Sequence, residues 1–265
     1  MEYRGDGTGC GGANYSFNLT QEPVIDITGT GTILGTASNC DDCGEIVSIG
    51  FDFAFFGTTF TDVGISSNGY MNFGGGPLGD FSNDPIPAAA TPNNIICPAW
   101  DDYNTATAGD IFVQTEGDAP NRRFIVLWSN VSEFAANNSN TFQAILYEGT
   151  NRIEFRYGDQ RPIVAGDVTI GVENADGTIG FAYDSTTINS GDMLTVSPST
   201  IAGACSCRAD LNGDGTLDPD DLSDAIGCFF SAGCTLDYNN DTLEDPDDLS
   251  DYIADYFDLA NGCPR

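Results

Sequence analysis

The chain has 265 residues, and its 40 aspartates and glutamates face eight arginines with no lysine and no histidine, a formal charge of −32. Without histidine or lysine there is no Ser-His-Asp triad, no Cys-His pair, no histidine metal ligand and no P-loop lysine. Such a negative field disfavours nucleic acid and anionic membranes as partners. Hydrolysis by a pair of carboxylates, as in glycosidases, is not excluded by the missing residue types. With 40 acidic residues, however, pairs of carboxylates are expected without any catalytic role. We therefore expect that the protein is not an enzyme.

Nine cysteines indicate an oxidising, extracellular or cell-surface setting. The one Cys-x-x-Cys pair, Cys40 and Cys43, lacks a second pair at zinc-site spacing, so we favour disulfides over a metal. An odd number leaves one thiol free or paired between chains. No apolar run approaches the length of a membrane span, and the first residues lack the apolar core of a signal peptide.

Residues 1–21 are rich in Gly, Asn and Thr and have few apolar anchors, which predicts a tail that cannot order itself. We expect a neighbouring copy to hold this tail as a donor strand.

Residues 22–200 are predicted to form one β domain, because short apolar segments alternate with Gly, Asn and Asp turns. In residues 152–158, Ile153, Phe155 and Tyr157 would share one face of a strand. Residues 122–128 are apolar on both faces and predict a central strand. The expected fold class is mainly β, an antiparallel two-layer β-sandwich of about ten to twelve strands, jelly-roll-like or immunoglobulin-like.

Residues 45–185 resemble the nidogen-type extracellular domain and its bacterial surface relatives. The resemblance rests on the Phe-Phe-Gly of residues 55–57, the Ser-Asn-Gly of residues 67–69 and the Trp-Asp-Asp of residues 100–102. It implies an extracellular adhesion or matrix module that is not an enzyme. Cys97 stands where such sequences have a small residue, which suggests an added disulfide.

The segment after Trp100 allows two interpretations. Asp101, Asp102 and Asp110 would gather a cation or a sugar hydroxyl, with Trp100 or Tyr103 as a stacking face. Alternatively, Trp100 fills the core and the aspartates cap a turn, which we favour.

Asn-x-Ser/Thr triplets, which accept glycans only in a cell that has the enzyme, begin at Asn14, Asn18, Asn130, Asn137 and Asn240. The last of these lies inside a predicted metal loop, where a glycan would be awkward, so we set it aside.

Residues 201–265 contain one segment written twice, beginning at Asp210 and at Asp237. A calcium loop of the EF-hand type takes oxygen ligands from positions 1, 3, 5, 7, 9 and 12. The two copies therefore predict two calcium ions. The ligands would be Asp210, Asn212, Asp214, the Thr216 carbonyl, Asp218 and Asp221, and then Asp237, Asn239, Asp241, the Leu243 carbonyl, Asp245 and Asp248.

Two departures from the EF-hand pattern matter. Position 12 is Asp rather than Glu, which shortens the bidentate reach, and the turn residue at position 6 is Gly215 in the first loop but Thr242 in the second. We therefore expect the first site to be the better formed.

This tandem of a loop and one helix resembles the dockerin module, over residues 205–265. The resemblance implies a small α-helical fold loaded with calcium and a cohesin-like partner. Neither helix segment, however, carries the basic pair that cohesin-binding dockerins use. A shared core is predicted at spacings typical of one helical face: Leu222, Ile226, Phe229 and Phe230 with Leu249, Ile253, Tyr256 and Phe257.

Two functions remain in view. The first is a secreted calcium-binding structural protein whose copies assemble head to tail into an extracellular fibre or matrix. The alternative is a dockerin-borne carbohydrate-binding or scaffold component of a polysaccharide-degrading assembly.

Overall fold

The computed structural model describes residues 14–159, 163, 167–184, 187–199, 219–230 and 246–257. The chain divides into a unit of residues 15–198 and a unit formed by residues 1–14 with 199–265. The protein is mainly β. The strands lie almost wholly in the first unit, whereas the described part of the second contains two helices.

Thirteen strands follow one another before the first described helix. They are β1 (Asn14–Gln21), β2 (Thr32–Ile33), β3 (Gly44–Phe55), β4 (Thr58–Ser66), β5 (Met71–Asn72), β6 (Ile95–Trp100), β7 (Asp110–Glu116), β8 (Arg123–Val131), β9 (Asn140–Tyr147), β10 (Ile153–Tyr157), β11 (Thr169–Glu173), β12 (Gly180–Ala182) and β13 (Asp192–Ser199).

The strands form two sheets, with the orders β1-β13-β10-β9-β8-β7-β2 and β12-β11-β6-β5-β4-β3. Hydrogen bonds join them across the core. The Trp128 indole on β8 donates to the Ser66 carbonyl on β4 at 2.9 Å. The Tyr157 hydroxyl on β10 donates to the Pro98 carbonyl on β6 at 2.8 Å. The two antiparallel sheets therefore pack face to face, as the sandwich prediction requires.

Strand β8 is buried on both faces, which confirms the predicted central strand. Phe124, Val126 and Trp128 alternate with Ile125 and Leu127, and all five are buried. On one face Ile125 and Leu127 pack against Ile27, whose segment precedes β2 and lies over this sheet. The predicted apolar face of β10 is also confirmed, because Ile153, Phe155 and Tyr157 are each 0 % exposed, but Glu154 on the opposite face is buried as well.

The long connection between β5 and β6 lies against the six-stranded sheet. Leu78 and Ile86, from this connection, pack with Cys97 and Trp100. A Cβ added at Gly64 would stand 2.7 Å from a methyl carbon of Leu78. Glycine in β4 is therefore what allows the connection to lie directly on the strand.

Residues 14–21, which the sequence analysis placed in the tail, form β1 and lie beside β13 at the edge of the seven-stranded sheet. Just beyond the strand, the backbone N–H of Glu22 donates to the Gly191 carbonyl at 3.1 Å. Tyr15 contacts the Phe56 and Phe181 rings at 5.0 and 6.0 Å. These aromatic contacts supply the anchors that composition did not reveal. Residues 1–13 lie outside the described part.

The second unit contains α1 (Pro219–Phe229) and α2 (Pro246–Phe257). Ala225, Tyr252 and Tyr256 are buried between them. The predicted core is wrong at three positions, because Ile226, Ile253 and Phe230 are 42, 37 and 76 % exposed. The helices are rotated so that Ala225 and Tyr252 occupy the interface instead. No helix among the described residues is long and apolar enough to cross a membrane.

Candidate functional site

The predicted calcium loops lie outside the described residues, except that Asp221 and Asp248 fall within α1 and α2. Calcium binding by the other predicted ligands remains a prediction. These ligands are Asp210, Asn212, Asp214, Thr216, Asp218, Asp237, Asn239, Asp241, Leu243 and Asp245. The two helices begin at equivalent positions of the repeat, Pro219 and Pro246. Their contacts are equivalent too, since the interface contains Leu222 and Leu249, Ala225 and Tyr252, and Phe229 and Tyr256.

Trp100, at the end of β6, is a core residue. It is 1 % exposed, its indole N–H donates to the Asp80 carbonyl at 3.1 Å, and its ring lies 5.1 Å from that of Tyr70. Tyr103 is 2 % exposed. Neither ring is a stacking face for a sugar, and the core interpretation of Trp100 is confirmed.

Asn68, in the turn between β4 and β5, joins three segments of the chain. This fully buried amide donates to Asp42 Oδ1 at 3.0 Å and to the Asp80 carbonyl at 3.3 Å. Its own oxygen accepts the backbone N–H of Tyr103 at 2.9 Å. A buried amide with its donors and acceptor satisfied fixes the positions of all three segments.

Cys40 and Cys43 form a disulfide, which confirms the predicted preference for disulfides at this pair. The bridge encloses Asp41 and Asp42. Ser67 holds the small loop, since its hydroxyl donates to the Asp41 carbonyl at 2.5 Å and its backbone N–H donates to the Cys43 carbonyl at 2.8 Å.

These contacts bring the carboxylates of Asp41, Asp42 and Asp102 together, with one oxygen of each within 4.8 Å of the others. Burial, then the charge of Asp42, raises the pKa of Asp41. Burial, then Asp42, Asp41 and Asp101, raises the pKa of Asp102. Three hard oxygens in this arrangement are the ligand type that calcium or magnesium takes.

No described arginine relieves this charge. Arg122, Arg123, Arg152 and Arg156 form their ion pairs with glutamates of the seven-stranded sheet and its loops. Within the described part of the chain, the mutual repulsion of the acidic group is therefore not offset by a cationic side chain.

The sequence indicates this acidic group only in part. Asp102 belongs to it, but Asp110 does not, because Asp110 begins β7 opposite Ser129. Asp41 and Asp42 were missed as partners. The sequence shows these two acids as a pair between Cys40 and Cys43. Only the tertiary contacts through Ser67 and Asn68 place this pair beside Asp102.

A separate, buried acid lies on β11, the strand next to β6 in the same sheet. Glu173 on β11 is 1 % exposed, and its carboxylate accepts the backbone N–H of Ala88 at 2.6 Å. Burial raises its pKa to about 7, and Asp84 and Asp176 add to the effect. Cys97 nearby is a free, buried thiol, so the added disulfide suggested for it is wrong.

The predicted glycan acceptors remain predictions. Asn18 on β1, Asn130 at the end of β8 and Asn137 in the following loop are exposed, and Asn14 begins β1.

A model of one family, described as NIDO related, matches residues 14–206. Comparisons with curated proteins and with solved structures give no match. The family match covers the whole sandwich, including the Ser67-Asn68-Gly69 turn and the Trp100-Asp101-Asp102 segment. It is of an extracellular type and carries no information about the calcium loops. The chain therefore belongs to the nidogen-related family.

Proposed function

We propose that this chain is a secreted calcium-binding structural protein whose copies assemble head to tail into an extracellular fibre or matrix. The nidogen-related sandwich would be the repeating body, and a dockerin-like pair of calcium loops would make the C-terminal module rigid.

The observation that carries the calcium part of the proposal is the equivalence of α1 and α2. Each helix begins at the same position of the repeat, and each uses the same three positions to contact the other. Asp221 and Asp248, at position 12 of the loops, lie in the first turns of these helices. An EF-hand-type loop is closed from the first turn of the following helix in this manner.

Charge supports the same proposal. A chain with a formal charge of −32 repels its copies, and the repulsion weakens when divalent cations bind the carboxylates. Extracellular calcium would therefore both fold the module and favour head-to-tail assembly.

One argument for the alternative function, a dockerin-borne carbohydrate-binding or scaffold component, no longer applies. Trp100 and Tyr103 were its candidate stacking residues, and both are buried. No other described feature favours polysaccharide or a cohesin-like partner.

Calorimetric titration of the full chain tests the calcium part. We expect two ions to bind, with Asp210→Ala more damaging than Asp237→Ala because the second loop lacks glycine at position 6. Asp62→Ala, at an exposed position on β4, is the matched control and should leave the stoichiometry unchanged. Binding of fewer than two ions at millimolar calcium would contradict the proposal.

Electron microscopy with calcium and with chelator tests the assembly part. We expect regular filaments that disperse when calcium is removed. A calcium-loaded monomer that is retained on polysaccharide would instead support the alternative function.

A further inference from the structure

Every open sheet has edge strands whose backbone groups can pair with another chain. In this sandwich the edges are β1 and β2 in one sheet and β3 and β12 in the other. Strands β2 and β12 have only two and three residues. The two edges long enough to accept another strand are therefore β1 and β3.

The edge of β3 is protected. The backbone N–H of Ala54 donates to Asn151 Oδ1 at 2.8 Å, the Ile49 carbonyl accepts the Thr115 hydroxyl at 2.8 Å, and the Gly50 carbonyl accepts Arg122 at 2.7 Å. The pairing with β4 is also interrupted between Ser48 and Phe53. Such irregularity and side-chain coverage are the means by which natural proteins block edge pairing.

Among the described residues, none gives strand β1 such protection. Its sequence, Asn-Tyr-Ser-Phe-Asn-Leu-Thr-Gln, contains no charge, no proline and no glycine. Asn18, Leu19, Thr20 and Gln21 are exposed in succession, so both faces of this half of the strand reach solvent. Tyr15 holds the other half against Phe55 and Phe56. Strand β1 is thus a long, regular and uncharged edge in a strongly acidic protein.

We propose that β1 is a self-association surface, where it pairs antiparallel with β1 of a second copy and joins the two seven-stranded sheets. The charge distribution selects this occupant. Two copies repel each other where their carboxylates meet, and β1 itself contributes no carboxylate, since Glu22 lies just beyond the strand. A basic partner would be attracted to the carboxylates instead and would gain nothing from an uncharged strand.

Pairing of one strand with its own copy is isologous and closes at two subunits. This contact therefore differs from the head-to-tail contact of the proposed function, and it requires no calcium. A fibre built from such dimers would use a second surface for its growth.

Sedimentation equilibrium of the full, unglycosylated chain in chelator at physiological ionic strength tests the proposal. We expect a reversible monomer–dimer equilibrium. Asn18→Glu combined with Thr20→Glu places like charges opposite one another and should weaken the dimer by at least about tenfold. The matched control, Thr59→Glu combined with Thr61→Glu, adds the same charge at exposed positions of the internal strand β4 and should weaken it less.

A charge-swap variant distinguishes self-pairing from a general loss of structure. Asn18→Arg combined with Thr20→Arg, mixed with the glutamate variant, should restore the dimer as a heterodimer, while the thermal unfolding of each variant stays near that of the parent. A monomer at the highest soluble concentration, a dimer insensitive to the β1 charges, or a mixture that fails to recover would each overturn the proposal. None of these outcomes depends on calcium binding or filament formation.

Discussion

Glu173 on β11 accepts a 2.6 Å hydrogen bond from the backbone N–H of Ala88, in the connection that lies on the six-stranded sheet. The carboxylate is 1 % exposed, and none of the four described arginines forms an ion pair with it. Its ionised form is therefore costly in the folded protein, and burial raises its pKa to about 7.

This raised pKa predicts a pH dependence of stability. The folded protein retains the Glu173 proton up to its pKa of about 7, whereas the unfolded chain releases it near the ordinary glutamate pKa of 4.5. This group therefore makes folding less favourable as the pH rises between those values. Glu173→Gln should become more stable than the parent over the same interval, by roughly 3 kcal/mol above pH 7. Urea unfolding at a series of pH values measures the difference, and a difference that does not change with pH would contradict it.

The acidic group of Asp41, Asp42 and Asp102 predicts a stabilising substitution. Because burial and three neighbouring acids raise the pKa of Asp102, Asp102→Asn should raise the free energy of unfolding in chelator at pH 7, by roughly half a kcal/mol. Asp62→Asn, at an exposed position of β4, serves as the control. A loss of stability for Asp102→Asn in chelator would show that the carboxylate has a structural partner that outweighs the repulsion.

The hydrogen bond from Tyr157 to Pro98 predicts a cost for Tyr157→Phe. The substitution leaves a buried carbonyl without its partner, and the free energy of unfolding should fall by about 1 to 2 kcal/mol. Tyr147→Phe is the matched control, because Glu154 retains Arg152 and Arg156 when the Tyr147 hydroxyl is removed. Equal losses for the two variants would argue against a special contribution from the contact between the sheets.

Substitutions at two adjacent residues of α2 should destabilise the second unit to very different extents. Tyr252 is 0 % exposed and Ile253 is 37 % exposed. In calcium, Tyr252→Ala should lower the stability of the helix pair by about 3 kcal/mol, and Ile253→Ala by less than about 1 kcal/mol. Amide hydrogen exchange in α2 measures both. The reverse ranking would restore the helical face predicted from the sequence.

The sheet core could be predicted because its signal is local. In β10 the alternation of Ile153, Phe155 and Tyr157 specifies one buried face, and the apolar run of β8 specifies two. The helix faces were harder. Ile226 and Ala225 are neighbours, and each belongs to a plausible helical stripe. Side-chain size favours Ile226 as the buried residue, whereas the smaller Ala225 allows the helices to approach closely.

The candidate site depends on contacts that are distant in sequence. Asp42 and Asp102 meet only because Asn68 donates to one segment and accepts from the other. The residues next to each aspartate in the sequence do not indicate which distant residue it will lie beside. The same limit explains β1, where Tyr15 finds its aromatic neighbours on β3 and β12 and so orders a strand whose composition indicates a tail.

The position of β1 beside β13 has a mechanical consequence. Glu22, after β1, is bonded to Gly191, before β13, so the start of the first strand lies near the end of the last. A pulling force applied to the start of β1 and the end of β13 would separate these two strands from that end, breaking their hydrogen bonds one at a time. Bonds loaded in sequence yield at a lower force than bonds sheared together. Under tension, β1 would therefore peel away first, lengthening the molecule while the buried layers between the sheets stay intact.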